Sequence, residues 1–157
     1  FETEIWVYDP YLPREMAEAL GFLQTSLENI LSKCQVIVCL APLTPKTRGM
    51  IGLNELNLIP SGTVLVNVSR GAIIDSEALI ERLKRGDIVA GLDVFDPEPL
   101  PVSSDLWETP NLMLVPHCSS DDADKYIPLT LDMFFANLDR YISGKTLKKC
   151  ISTKKQY

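Results

Sequence analysis

The sequence predicts an α/β domain built on a doubly wound parallel sheet, and three observations carry that prediction. Short apolar runs recur at residues 5–8, 36–40, 62–68, 88–94 and 112–115, each the length of a strand. Amphipathic stretches with helix-start and helix-stop residues separate them, which is the alternation of a βαβ chain. Charged or proton-active residues stand at or just past the ends of the runs: Asp9, Arg70, Asp93, Glu98 and His117. In a parallel sheet those ends share one edge, the usual address of ligands in an open α/β fold.

The elements follow in order. Ile5-Trp6-Val7-Tyr8 reads as a strand ended by Asp9-Pro10. Pro13 suits the first turn of a helix that runs to about Leu20 and stops at Gly21. Ser26 caps a short helix carrying Leu27, Ile30 and Leu31. Val36-Ile37-Val38-Cys39-Leu40 is apolar without interruption, as expected of a strand covered on both faces. Residues 41–47, with two prolines and two threonines, form a loop. Residues 62–68 give the next strand. Asp75 or Ser76 caps a helix with Leu79, Ile80 and Leu83 inward, Lys84 and Arg85 at its end and Gly86 closing it. Residues 88–94 form a strand, 96–102 are irregular, and 112–115 form the last strand. Ile127, Leu131, Phe134, Leu138 and Tyr141 then fall on one face of a long helix, expected from about Asp121 to Ser143.

Composition narrows the function classes. The 157 residues carry a net charge of −6, which argues against a nucleic-acid partner, and Lys148, Lys149, Lys154 and Lys155 read as a solvated tail. No apolar stretch approaches the roughly 20 residues of a membrane helix. The opening Phe1-Glu2-Thr3-Glu4 has neither the basic start nor the cleavage site of a signal peptide, so a cytoplasmic protein is expected. The cysteines, Cys34, Cys39, Cys118 and Cys150, show no C-x-x-C pair and no metal-ligand spacing; reduced thiols and no metal are expected. His117 is the only histidine, and its ordinary pKa lets it give or take a proton near neutral pH.

Four motifs carry a resemblance. Leu65-Val66-Asn67-Val68-Ser69-Arg70-Gly71-Ala72-Ile73-Ile74-Asp75, Gly91-Leu92-Asp93-Val94-Phe95-Asp96-Pro97-Glu98-Pro99 and Pro116-His117 resemble the signatures of the D-isomer-specific 2-hydroxyacid dehydrogenases. The stretch from Pro42 through Leu43 and Thr47 to Gly49 resembles the cofactor-facing loop of the same family, and the four occur in family order. The resemblance implies a Rossmann-like sheet and an NAD(H)-dependent interconversion of a small 2-oxo acid and a D-2-hydroxy acid. Arg70 would clamp the substrate carboxylate with its planar fork. His117 would exchange a proton with the carbonyl oxygen, and Glu98 would fix the imidazole tautomer and raise its pKa. Asp93 would hold the nicotinamide carboxamide. Asp9, Pro42, Leu43, Thr47, Val68, Ser69, Arg70, Asp93 and His117 together would face the cofactor.

At Asp9, an acid closing the second strand of a Rossmann unit accepts hydrogen bonds from the ribose hydroxyls and repels a 2′-phosphate, so NAD(H) is expected over NADP(H). Ser119-Ser120-Asp121-Asp122 departs from the commoner small-residue pattern after the histidine, which by resemblance leans toward glyoxylate and hydroxypyruvate reductases. A homodimer is expected of the whole protein. Two other readings stand beside this one: a nucleotide-sensing scaffold without turnover, and a formate-dehydrogenase-like enzyme.

One part of the pattern is missing. None of the eight glycines makes a G-x-G pair, and Asp9 has too few residues before it for the glycine loop that precedes such an acid by about 20 positions. The chain is therefore expected to lack the first, central strand and its glycine-rich loop. Residues 1–120 would be a truncated NAD-binding domain, and 121–157 a helix and tail that return to a substrate domain outside the chain. On its own the chain is expected to be inactive.

Overall fold

The computed structural model describes residues 3–120, 122 and 124–152. They form two compact units, Phe1–Pro116 and His117–Tyr157. In the first, the order is β1 (Trp6–Val7), α1 (Arg14–Ala19), β2 (Leu23–Gln24), α2 (Leu27–Lys33), β3 (Val36–Cys39), α3 (Leu53–Leu58), β4 (Val64–Asn67), α4 (Ser76–Lys84), β5 (Val89–Leu92) and β6 (Leu112–Leu114). The second unit holds α5 (Tyr126–Ile142).

Every strand pairing is parallel, in two pieces: β1 with β2, and β3-β4-β5-β6 in that order. The break between β1 and β3 falls where a doubly wound sheet carries its first strand, as expected from a sequence without the glycine-rich loop.

Local chemistry explains the helices. Ser26 Oγ accepts the Asn29 N–H at 3.2 Å to start α2, and Asp75 Oδ1 accepts the Ala78 N–H at 3.0 Å to start α4. Gly86 ends α4 in the left-handed region at φ 79°. Pro13 stands at the cap of α1, one residue before its first turn. Helix α3 and strand β2 were not expected from the sequence pattern. In α3 the Glu55 carboxylate reaches back to the Gly52 N–H at 3.1 Å. At the other end the buried Arg82 donates to Leu56 O at 3.2 Å and Ile59 O at 2.9 Å, and pairs with Asp87. A residue of α4 therefore closes the end of α3.

The core lies on one face of the four-stranded sheet. Ile37, Leu65, Ala90 and Leu92 pack there with Leu31, Leu56, Leu79 and Leu83 from α2, α3 and α4. The uninterrupted apolar run of β3 led to an expectation of cover on both faces, and this is corrected: Val36 is 60% and Val38 51% exposed. The register aligns Val36 with Val64 and Val89, and Val38 with Val66, Gly91 and Met113, so one face of the sheet is an exposed apolar strip. Helices α2, α3 and α4 pack against the opposite face.

In the second unit α5 begins at Tyr126, later than expected; Asp121, the expected start, lies outside the described residues. Pro128 explains the shift. It falls in the first turn, where an amide N–H has no acceptor within the helix. Ahead of it, Asp122 accepts the Lys125 N–H on Oδ1 at 3.0 Å and the Tyr126 N–H on its carbonyl at 2.9 Å. Ile127, Leu131, Phe134, Leu138 and Tyr141 form the expected stripe, and all are exposed. Lys154 and Lys155 lie outside the described residues.

Candidate active site

The C-terminal ends of β3, β4 and β5 release three loops that are tied to one another. The loop after β3 is first wound on itself: Thr47 Oγ1 accepts the Thr44 N–H at 2.8 Å and donates to Pro42 O at 2.6 Å. The hydroxyl of Thr47 therefore sets the shape of this loop, with Leu43 half-buried inside it. The loop then joins the one after β4, Gly49 N–H donating to Ala72 O at 2.8 Å and Ile51 N–H to Ile73 O at 3.1 Å.

The loops after β4 and β5 touch through their backbones. A Cβ on Gly71 would stand 2.0 Å from both the carbonyl carbon and oxygen of Phe95, so only glycine permits this approach. Arg48 and Asp96 add an ion pair at 3.4 Å, exposed on both sides and of little energetic weight.

Asn67, the last residue of β4 and 1% exposed, organises the centre. Its Oδ1 accepts from the Ser69 N–H at 3.1 Å and from Ser69 Oγ at 2.8 Å, while its Nδ2 donates to Arg70 O at 3.0 Å. The Asn67 carbonyl accepts the Asp93 N–H at 3.0 Å. Ser69, buried, also lies 3.3 Å from the Sγ of Cys39, and Val68 is half-buried.

Most residues that the sequence singled out in this unit gather on that edge. Arg70 is exposed, with Nη1 donating to the Ser69 carbonyl at 2.6 Å. Asp93 is 4% exposed at the end of β5. Glu98 is exposed, between Asp96-Pro97 and Glu98-Pro99 peptides that are both cis. Asp9 follows β1; its Oδ1 accepts the Tyr11 N–H at 2.8 Å, and Gln24 Nε2 bridges the carbonyls of Asp9 and Leu12 at 3.1 Å each. His117 opens the second unit, three residues after β6, exposed and at φ 55°. That left-handed conformation is uncommon for a residue with a side chain.

Sequence reasoning missed Asn67 and Gly71 as parts of the site. The signal for Asn67 is present, since a lone amide interrupts the otherwise apolar run 64–68. The Gly71–Phe95 approach is a tertiary fact with no local signature.

Two groups with displaced pKa values lie away from this edge. Burial, with Glu4 nearby, pushes the Cys34 thiol up. The hydrogen bond from Arg82 holds the Asp87 carboxyl down, at the opposite edge of the sheet. Cys34, Cys39 and Cys150 are free thiols. Among the described residues no group of three or more His, Cys, Asp or Glu could hold a metal ion, and no helix is long and apolar enough to cross a membrane.

The residues fit a dinucleotide in part. The buried Asp93 at the end of β5 and Asp9 after β1 are carboxylates able to accept hydrogen bonds from amide and hydroxyl donors of such a ligand. The sequence has no G-x-G, so it supplies no glycine-rich cradle for the pyrophosphate.

Comparison with known proteins bears directly on this edge. Residues 1–119 match the model of the D-isomer specific 2-hydroxyacid dehydrogenase NAD-binding domain. The chain is 40% identical over 129 residues to D-3-phosphoglycerate dehydrogenase of Methanocaldococcus jannaschii, which covers 80% of this chain and 24% of the relative. It is 38% identical over 133 residues to glyoxylate reductase of Aeropyrum pernix, covering 84% of this chain and 39% of that protein. Among solved structures, a D-isomer specific 2-hydroxyacid dehydrogenase from Xanthobacter autotrophicus Py2, in complex with NADPH and MES, superposes with a TM-score of 0.82 at 30% identity, covering 97% of this chain and 61% of that one. The chain thus spans well under half the length of those two sequence relatives. With a family match over more than two thirds of its length, the chain belongs to the D-isomer specific 2-hydroxyacid dehydrogenases, as part of their NAD-binding domain.

Proposed function

We propose that this chain is the cofactor-binding part of an NAD(H)-dependent oxidoreductase that interconverts a small 2-oxo acid and its D-2-hydroxy acid, with glyoxylate or hydroxypyruvate as substrate. The observation that carries the reading is the tied loop edge, in which the loop that carries Arg70 is joined by backbone contact to the loop that follows the buried Asp93, in a chain of this family. Several curated relatives are glyoxylate/hydroxypyruvate reductases, which supports the choice of substrate.

Arg70 binds the substrate carboxylate through its planar guanidinium, with the loop backbone beneath it pinned by Asn67 and Gly71. His117 is the proton donor to the carbonyl oxygen on reduction, and Glu98 is the carboxylate assigned to assist that proton transfer in the intact polypeptide. Asp93 would hold the nicotinamide carboxamide, Val68, Ser69, Pro42, Leu43 and Thr47 would line the cofactor site, and Asp9 would accept from the adenosine ribose hydroxyls. Bound NAD(H) supplies the two-electron chemistry that no side chain here can provide. Asp9 favours NAD(H) over NADP(H) by repelling a 2′-phosphate.

The 157 residues alone bind the dinucleotide weakly and do not turn over, because they carry no glycine-rich loop. The working enzyme is a longer, cytoplasmic, homodimeric polypeptide. The test is NADH oxidation with glyoxylate and hydroxypyruvate, by the isolated chain and by the intact polypeptide that carries it. Turnover by the intact polypeptide alone supports the proposal. Turnover by the isolated chain overturns the inactivity. NADH binding by the intact polypeptide without turnover on any 2-oxo acid favours a nucleotide-sensing scaffold, and formate oxidation favours the formate-dehydrogenase-like alternative.

A further inference from the structure

We infer that Asn67 is a positioning residue: its side-chain amide fixes the backbone from which Arg70 offers its guanidinium to a small carboxylate. The inference rests on the reading of Arg70 as the carboxylate-binding residue.

Strand packing alone gives no reason for an amide here. Asn67 lies in the same sheet face as Leu65 and Leu92, at 1% exposure, where a branched apolar residue would pack without loss. Burying an amide is costly unless its polar atoms are satisfied. Those of Asn67 are satisfied by the loop that carries Arg70: Oδ1 takes the Ser69 N–H and hydroxyl at 3.1 and 2.8 Å, and Nδ2 gives to Arg70 O at 3.0 Å. Only one amide orientation works. Turned over, its NH2 would face the Ser69 N–H and its oxygen the Arg70 carbonyl.

Arg70 is thus held from both sides. Its carbonyl is fixed by Asn67, and the next residue, Gly71, is pressed against the Phe95 backbone. What remains adjustable is the side chain, with one N–H already given to the Ser69 carbonyl at 2.6 Å. A guanidinium fork binds a carboxylate in its own plane, so a tilt of the backbone beneath it reaches the substrate as lost geometry. Asn67 also accepts the Asp93 N–H on its carbonyl, which ties the loop after β5 to the same anchor.

The test is a double-mutant cycle in the intact polypeptide, with glyoxylate as substrate and oxamate as a non-reacting 2-oxo acid mimic. Asn67→Asp keeps the acceptor for Ser69 and sets an oxygen against the Arg70 carbonyl. The expected result is a rise of about tenfold in the KM for glyoxylate and the Kd for oxamate, with the Kd for NADH within about twofold. In an Arg70→Ala background the same substitution should change neither, because its route to the substrate is gone. An equal effect in both backgrounds, or an unchanged KM, overturns the inference while leaving the Arg70 reading intact. An Arg70→Ala enzyme with wild-type KM and kcat overturns that reading and the inference with it. If the Asn67→Asp variant does not fold, Asn67→Ser, too short to reach the Arg70 carbonyl, is put through the same cycle and judged by the same outcomes.

Discussion

Gly71 and Phe95 lie backbone against backbone, so close that a Cβ on Gly71 would fall 2.0 Å from the Phe95 carbonyl group. This contact joins the loop after β4, which carries Arg70, to the loop after β5, which follows Asp93. Neither partner can yield by a side-chain rotation, since the atoms that collide are main chain.

Gly71→Ala should therefore destabilise the chain by about 1–3 kcal/mol, the usual range for overpacking a tight contact. Denaturant unfolding reads the loss directly. A midpoint equal to the wild type would mean that the two loops part freely.

The core on one side of the sheet makes adjacent residues of β3 behave oppositely. Ile37 is 5% exposed and Val38 51%. In the 157-residue chain, Ile37→Ala should cost about 2–5 kcal/mol, whereas Val38→Thr should stay within about 0.5 kcal/mol. Comparable losses at both positions would show that the valine face is covered in solution.

How much of this was legible in the sequence depends on the range of the interaction involved. Helices α2 and α4 were readable because Ser26 and Asp75 act within three residues of themselves. The strands β3 to β6 were readable as apolar runs, but an apolar run looks the same whether one face or both are covered, which is why the exposure of Val36 and Val38 was not foreseen. Helix α3 is short and is closed by Arg82, a residue of another helix. Strand β2 exists through its pairing with Trp6 and Val7. At the site, the strand-end rule located Arg70 and Asp93. It could not show that Asn67 holds the first by its side chain and the second by its backbone.

Arg82 and Asp87 should give the chain a sensitivity to acid. The folded pKa of Asp87 is depressed by its hydrogen bond from Arg82. Its stabilisation is therefore complete above the ordinary aspartate pKa of about 3.9, and is lost as pH falls through the lower folded value. Asp87→Asn should remove that part of the acid-side loss, seen as a flatter dependence of the urea midpoint on pH below about 4. An unchanged profile would mean that the pair contributes nothing. Arg82→Ala, which takes the side-chain donor from Ile59 O and leaves Leu56 O with only the Ile59 N–H, should cost roughly 2 kcal/mol at neutral pH.

Cys34 should be a slow thiol. Burial comes first and the Glu4 carboxylate second in raising its pKa, and the thiolate is the reactive form. Alkylation by iodoacetamide, followed residue by residue in the mass spectrum, should rise with pH later at Cys34 than in a free peptide thiol. Glu4→Gln should move that midpoint down only slightly, because desolvation is the larger cause. A midpoint at or below the peptide value would contradict the burial of this thiol.

The proposed role of Arg70, on the tied edge of the sheet, is to bind the carboxylate of a 2-oxo acid. Its most direct test is the steady-state rate of NADH oxidation with glyoxylate, by the intact polypeptide and its Arg70→Ala variant, alongside the Kd for NADH. The expected result is a fall in kcat/KM of about 100-fold or more, as for a truncated partner of a hydrogen-bonded charge pair, with NADH binding nearly unchanged. A variant that keeps the wild-type kcat/KM would contradict it.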